Sequence, residues 1–191
     1  MSQVSSADEK KSALSPEFQT LALPVERQRQ IYWLIFTAGI LTLAAAALII
    51  APPAASFTVK NPSETINLAV FHFAGIGLGV FSLLIRTYTY SDRRLLAMLQ
   101  SERMRVPAGL TQRFDRSLWR LFRAVWPVQF IGWAMNEAIM IVGLIAVTAG
   151  NTGSSAYPFL FIASVLQLLS FPRFQPTAER ARQLWHQQGL G

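Results

Sequence analysis

Residues 128–149 read VQFIGWAMNEAIMIVGLIAVTA, and apart from Gln129, Asn136, Glu137 and Thr148 every residue is apolar or small. An α-helix rises 1.5 Å per residue, so such a run covers the roughly 30 Å of hydrocarbon in a bilayer. This stretch decides the fold class, because a helix of that length and composition reads as a membrane span. Glu137 lies near its middle, about ten residues from either end, too deep for its side chain to reach water. A charged side chain at membrane depth costs roughly 2.5 to 3.5 kcal/mol unless it is neutralised or paired. Glu137 is therefore the first candidate for function.

Three further apolar runs flank this one, at 31–51, 67–85 and 157–171. The first two are long enough to span. The last is shorter and bounded by Pro158 and Pro172, with Tyr157 and Arg173 as interfacial anchors, and the need to return the chain makes it a fourth span. The 191 residues are 52% hydrophobic and 14% charged, against roughly 25% charged in soluble domains. The predicted fold is all-α, a polytopic membrane protein with four transmembrane helices and amphipathic cytoplasmic helices. The run at 31–51 follows thirty largely polar residues and exceeds a signal-peptide core, so it reads as a retained span.

The distribution of charge gives the expected topology. Of 17 Lys and Arg, nine lie between the second and third spans, four precede the first and three follow the fourth, leaving only Lys60 elsewhere. The positive-inside bias then puts both termini and the long basic segment in the cytoplasm, and the Arg-rich, Lys-poor basic usage points to a bacterial inner membrane. The expected domains are a disordered tail over 1–28, a four-helix membrane domain over 29–173 that includes a basic helical segment at 87–126, and a C-terminal tail over 174–191 with a short interfacial helix.

Within the basic segment, Phe114, Leu118, Leu121, Phe122 and Val125 share one helical face, and Arg113, Arg116, Arg120 and Arg123 share the opposite one. Lying in the headgroup plane, such a helix would bury its stripe in lipid and pair its arginines with anionic headgroups; the alternative is a docking face for an acidic partner. Nucleic acid is not expected, because no aromatic stacking platform accompanies the charge.

Gly75 and Gly79 form a GxxxG pair in the second span, and Gly132 and Gly143 lie in the third; all four are expected to pack against neighbouring helices. Candidate ion-binding residues are Glu137, Gln167 at its depth on the fourth span, and His72 on the outer side of the second. A carboxyl removed from water favours its protonated form unless a cation or donor stabilises the charge, so it can take up and release a proton. Gln129 extends a polar track of Gln129, Glu137 and Gln167. An equally weighted alternative is a protonated Glu137 bonded to Gln167 that only locks helix packing. With no cysteine, disulfides, thiolate metal sites and cysteine nucleophiles are excluded. Lone His72 gives no metal site. No nucleotide, metalloprotease or hydrolase motif occurs, so neither an enzyme nor a cofactor is expected.

The segment Phe130-Ile-Gly-Trp-Ala-Met-Asn-Glu-Ala-Ile-Met-Ile-Val-Gly-Leu-Ile-Ala resembles the ion-carrying helix of the proteolipid c subunit of rotary ATP synthases. There a Phe-Ile-Gly start is followed by Glu-Ala and then Gly-Leu or Gly-Val. The resemblance implies that Glu137 occupies the position of the carboxylate that binds the transported proton or sodium ion. Gly75, Gly77 and Gly79 are similar to that family's Gly-rich first helix. About 40 residues replace the family's short loop, and no second Glu-bearing copy is present, a difference from a duplicated rotor subunit. The chain also resembles four-span bacterial membrane proteins sharing the Glu-Ala and Gly-Leu pattern. Two functions follow as expectations: an intramembrane carboxylate that binds a proton or cation within a larger membrane complex or homo-oligomer, or a non-catalytic accessory or assembly subunit of one.

Overall fold

The structure is a computed structural model that describes residues 14–50, 62–102, 104–148 and 153–189. Among the described residues there are six α-helices and no strand: α1 (Pro16–Ile50), α2 (Pro62–Thr89), α3 (Asp92–Gln100), α4 (Arg113–Thr148), α5 (Tyr157–Leu169) and α6 (Phe174–Gln187), with a 3-10 turn at Gly153–Ala156 before α5. Three helices are long and apolar enough to cross a membrane: α1, the Ala69–Thr89 part of α2, and α4. The thirteen residues of α5 reach only about 20 Å, so a fourth span exists only if α5 and α6 are counted as one broken span. Of the connections expected at 52–66 and 150–156, residues 52–61 and 150–152 lie outside the described residues, as do residues 1–13 of the expected tail; residues 62–66 are instead the first part of α2.

The chain divides into two compact units. One comprises the described residues of Met1–Gln28, Asp92–Val125 and Arg173–Gly191; the other comprises those of Arg29–Ser91 and Trp126–Pro172.

The first unit is built on surfaces that the sequence reading assigned to disorder or to lipid. Helix α1 begins at Pro16, twelve residues before the end of the expected disordered tail. Its start has a physical cause. Ser15 accepts the Phe18 backbone N–H on its hydroxyl at 3.1 Å, satisfying one of the orphan donors of the first turn. Pro16 at the next position has no N–H to satisfy. The same hydroxyl donates to the buried carboxylate of Asp115 on α4. Ser15→Ala removes both bonds; the expected loss is about 1 kcal/mol, read as a roughly fivefold fall in hydrogen-exchange protection of the first-turn amides. Unchanged protection would show that the cap does not hold this turn.

Phe18 and Ala22 of α1, Leu95 and Leu99 of α3, Leu118, Leu121 and Val125 of α4, and Leu184 and Trp185 of α6 are all buried. Phe174 stacks on Phe122 with ring centres 4.6 Å apart and meets Phe18 at 5.8 Å. Phe114 meets Trp185 edge-on at 5.6 Å. Arg180 forks onto Asp92 at 3.0 and 2.7 Å, joining α6 to α3; the pair is half-exposed and adds geometry more than stability. Two expectations are corrected here. The apolar stripe from Phe114 to Val125 is covered by protein rather than turned to a headgroup plane, because the termini supply Phe18, Phe174 and Trp185 to cover it. It is also no separate interfacial helix. Pro127 lies inside the continuous α4, and the bond its missing N–H would make to Arg123 is forgone.

In the second unit, residues pair in rising order between α1 and α4 (Phe36 with Trp133, Gly39 with Glu137) and between α2 and α5 (Gly75 with Phe159, Gly79 with Ile162). The order reverses between α4 and α5, where Asn136 meets Gln167 and Trp133 meets Ser170. Helices α1 and α4 thus run one way, and α2 and α5 the other. The core holds Ile40, Ile139, Met140, Phe159 and Leu166. The outer faces carry Phe73, Phe81, Leu84, Ile131, Phe161 and Leu168, all exposed. Apolar exposure on that scale is what a lipid-facing surface requires.

Phe159 is enclosed between two glycines. A Cβ at Gly75 would lie 2.7 Å from its ring, and one at Gly143 2.8 Å from its Cβ. Gly79 approaches Ile162, where a Cβ would lie 3.3 Å from Cγ2. Gly132 differs: nothing lies within 4 Å of where its Cβ would be, so the expected packing role does not apply to it among the described residues.

Candidate functional site

Positions 136 and 137 of α4 point about 100° apart, and the structure gives them different surroundings. Asn136 faces α2 and α5. It accepts the Ser82 hydroxyl at 3.0 Å and donates to the side-chain oxygen of Gln167 at 3.0 Å. The Gln167 amide nitrogen donates to the Trp33 carbonyl at 3.3 Å and to the Thr37 hydroxyl oxygen at 3.2 Å. Trp33 returns a bond from its indole N–H to the Gln167 carbonyl at 2.9 Å. Asn136 and Gln167 are 1% and 2% exposed, burial that requires such pairing. One polar network thus ties α1, α2, α4 and α5 together.

Glu137 is outside that network. It lies nine residues after Val128 and eleven before Thr148, about 14 and 16 Å along the axis. Its side chain turns to α1, where a Cβ at Gly39 would collide with Oε1 and lie 3.1 Å from the carboxyl carbon. Only glycine at position 39 leaves room for the carboxylate in this position. Glu137 is half-buried and makes no hydrogen bond or ion pair among the described residues. The expected pairing of Glu137 with Gln167 is therefore corrected: level in the membrane does not determine azimuth, and the residue facing Gln167 is Asn136. His72 stacks on Phe159, ring centres 5.2 Å apart.

The expected polar track is also divided. Gln129 accepts from Arg29 and donates to the Tyr90 hydroxyl oxygen, closing a second network at one end of this unit. Burial pushes the Tyr90 phenol above its usual range, with Arg29, the Gln129 bond and Arg86 pulling it back in that order. It stays neutral at physiological pH. Aromatic rings flank the network: Tyr32 meets Trp126 at 6.2 Å and Phe130 at 6.1 Å, and Phe36 meets Phe130 at 5.0 Å. Sequence reasoning counted Arg29 only as a flanking charge, although a basic residue two positions before an apolar run and a Gln at the matching end of α4 were both in view. Ser82 and Thr37 carried no signal, since lone hydroxyls in spans commonly bond their own helix.

In the other unit, Arg113, Arg116 and Arg120 line a cavity of about 220 Å³, together with Glu102 and Trp185. Arg123, grouped with them by sequence, is exposed and does not line it. No protein-family model, curated protein or solved structure matches this chain.

Proposed function

We propose that Glu137 is an intramembrane carboxylate that reversibly binds a proton or a cation, in a protein that works as part of a larger membrane complex. The observation that carries this reading is the separation of roles on α4. Asn136 and Gln167 satisfy each other and hold the helices, so Glu137 is not needed for that task. Its carboxylate sits over a glycine with no protein partner among the described residues. A carboxylate at membrane depth without a fixed counter-charge is neutral or holds an ion, and exchange between those states is the chemistry it can do. Movement of an ion across the membrane needs access from both sides, for which one carboxylate does not suffice; other subunits or further copies of the chain supply the remainder. The clustering of Lys and Arg supports an orientation with both termini and the 87–126 segment cytoplasmic, and the membrane we propose is a bacterial inner membrane. The reading is non-enzymatic, and the resemblance of α4 to the proteolipid helix agrees with it.

The test is dicyclohexylcarbodiimide labelling of the purified protein in lipid across pH, mapped by mass spectrometry. The reagent selects protonated carboxyls in apolar surroundings. Labelling is expected at Glu137, declining as pH rises and abolished by Glu137→Gln. Gly39→Ala is expected to change its rate, because the new methyl displaces the carboxylate. Absence of labelling at every pH in folded protein would overturn the reading in favour of the accessory subunit, for which the closed Asn136 and Gln167 network is the supporting observation.

A further inference from the structure

We propose that the arginine-lined cavity of the first unit binds a single phosphate group, either inorganic phosphate or the phosphomonoester headgroup of a lipid. Arg113, Arg116 and Arg120 stand at i, i+3 and i+7 on α4, so the three guanidinium groups share one face, with buried Ser117 between them. Like charges at that spacing repel. Among the described residues none of the three forms an ion pair, and the one carboxylate on the cavity wall, Glu102, leaves the lining with an excess of positive charge. The Nε of Arg120 is buried without a hydrogen-bond partner. Buried N–H groups are rarely left so, which marks this guanidinium as incompletely paired within the protein.

The shape of the cavity narrows the ligand. Arg113 is restrained over the Trp185 ring, 5.8 Å from its centre, which holds one wall of the cavity in place. The volume of about 220 Å³ is below the roughly 300 Å³ at which sites for drug-sized molecules begin. It accommodates an anion of phosphate size. Guanidinium groups match phosphate oxygens through paired N–H donors, and three of them on one wall favour a dianion over a chloride.

The experiment uses the full chain in neutral maltoside detergent. One arm titrates inorganic phosphate calorimetrically at low salt. The other incubates the protein with phosphatidylcholine vesicles, with or without phosphatidate, and counts retained lipid by native mass spectrometry. Arg116→Gln, the Arg116→Gln/Arg120→Gln double variant and Arg123→Gln are compared with the unaltered chain, each first checked for equal helix content and elution. Arg116 and Arg123 are both exposed on the same helix, so their single variants test the cavity where the double variant fails to fold. Saturable phosphate binding that weakens about tenfold in Arg116→Gln, further in the double variant, and little in Arg123→Gln would support a soluble phosphate site. Retention of phosphatidate alone, with the same dependence on the variants, would assign the site to a lipid headgroup. Equal weakening by Arg123→Gln would mean diffuse attraction to a basic surface and overturn the proposal, as would no binding in either arm.

Discussion

Gln167→Leu is expected to destabilise the protein by about 2 to 3 kcal/mol, although no charge is lost and the residue lies in a segment that tolerates apolar side chains everywhere around it. Interhelical hydrogen bonds in membranes average only about 0.6 kcal/mol, and Gln167 makes three through its side chain, to Asn136, Trp33 and Thr37. The larger part of the cost is left behind. Asn136, 1% exposed, keeps an amide N–H with no acceptor, and a stranded buried donor costs about 1 to 3 kcal/mol. The double variant Asn136→Leu/Gln167→Leu should therefore be less damaging than the sum of the single changes, because both partners leave together. Glu137→Gln should change stability by no more than about 0.5 kcal/mol, since Glu137 belongs to no network. Unfolding in mixed micelles, followed by tryptophan fluorescence, measures all of these. Equal losses for Gln167→Leu and Glu137→Gln would mean that the two residues share one structural task after all.

The contrast between adjacent positions 136 and 137 marks where the sequence stopped being informative. Apolar runs near twenty residues long made the long helices legible, because the bilayer sets their length. Depth was legible as well, and it put Gln167 level with Glu137. Azimuth was not: residues one apart differ by about 100°, and which of them meets α5 depends on packing, with Gly39 opening a seat for Glu137 on α1. The amphipathic stripe on α4 shows the same limit, since lipid and protein impose the same periodicity on the helix they cover. Its cover could have been read. Phe18, Leu21, Ala22 and Val25 stand at i, i+3, i+4 and i+7 after Ser15-Pro16, a capped amphipathic start. The polar composition of the first 28 residues outweighed that signal. Helix α6 was legible as a helix, but the burial of Trp185 against Phe114 was not, because tryptophan near a span is equally at home in the headgroups.

Gly143→Ala is expected to cost about 1 to 3 kcal/mol for a single methyl group. The new Cβ would lie 2.8 Å from Phe159 Cβ and 2.9 Å from Cγ, atoms next to the α5 backbone that cannot swing aside as the end of a long side chain can. On its other side the ring already fills the place that a side chain at position 75 would take, 2.7 Å from where that Cβ would lie, so it has no retreat there. Relief therefore requires α4 and α5 to move apart, and the bonds from Asn136 to Gln167 and from Trp133 to Ser170 at 3.1 Å resist that movement. Phe159→Ala alone opens a cavity and also destabilises. Combined with Gly143→Ala it supplies the space that the methyl needs, so the double variant should be more stable than the two single costs predict. Additive costs in that cycle would show that Gly143 acts through α4 itself rather than by admitting Phe159. A coupled result would identify the fit of Phe159 against Gly143 as what sets the close approach of α4 and α5, the approach across which Asn136 meets Gln167.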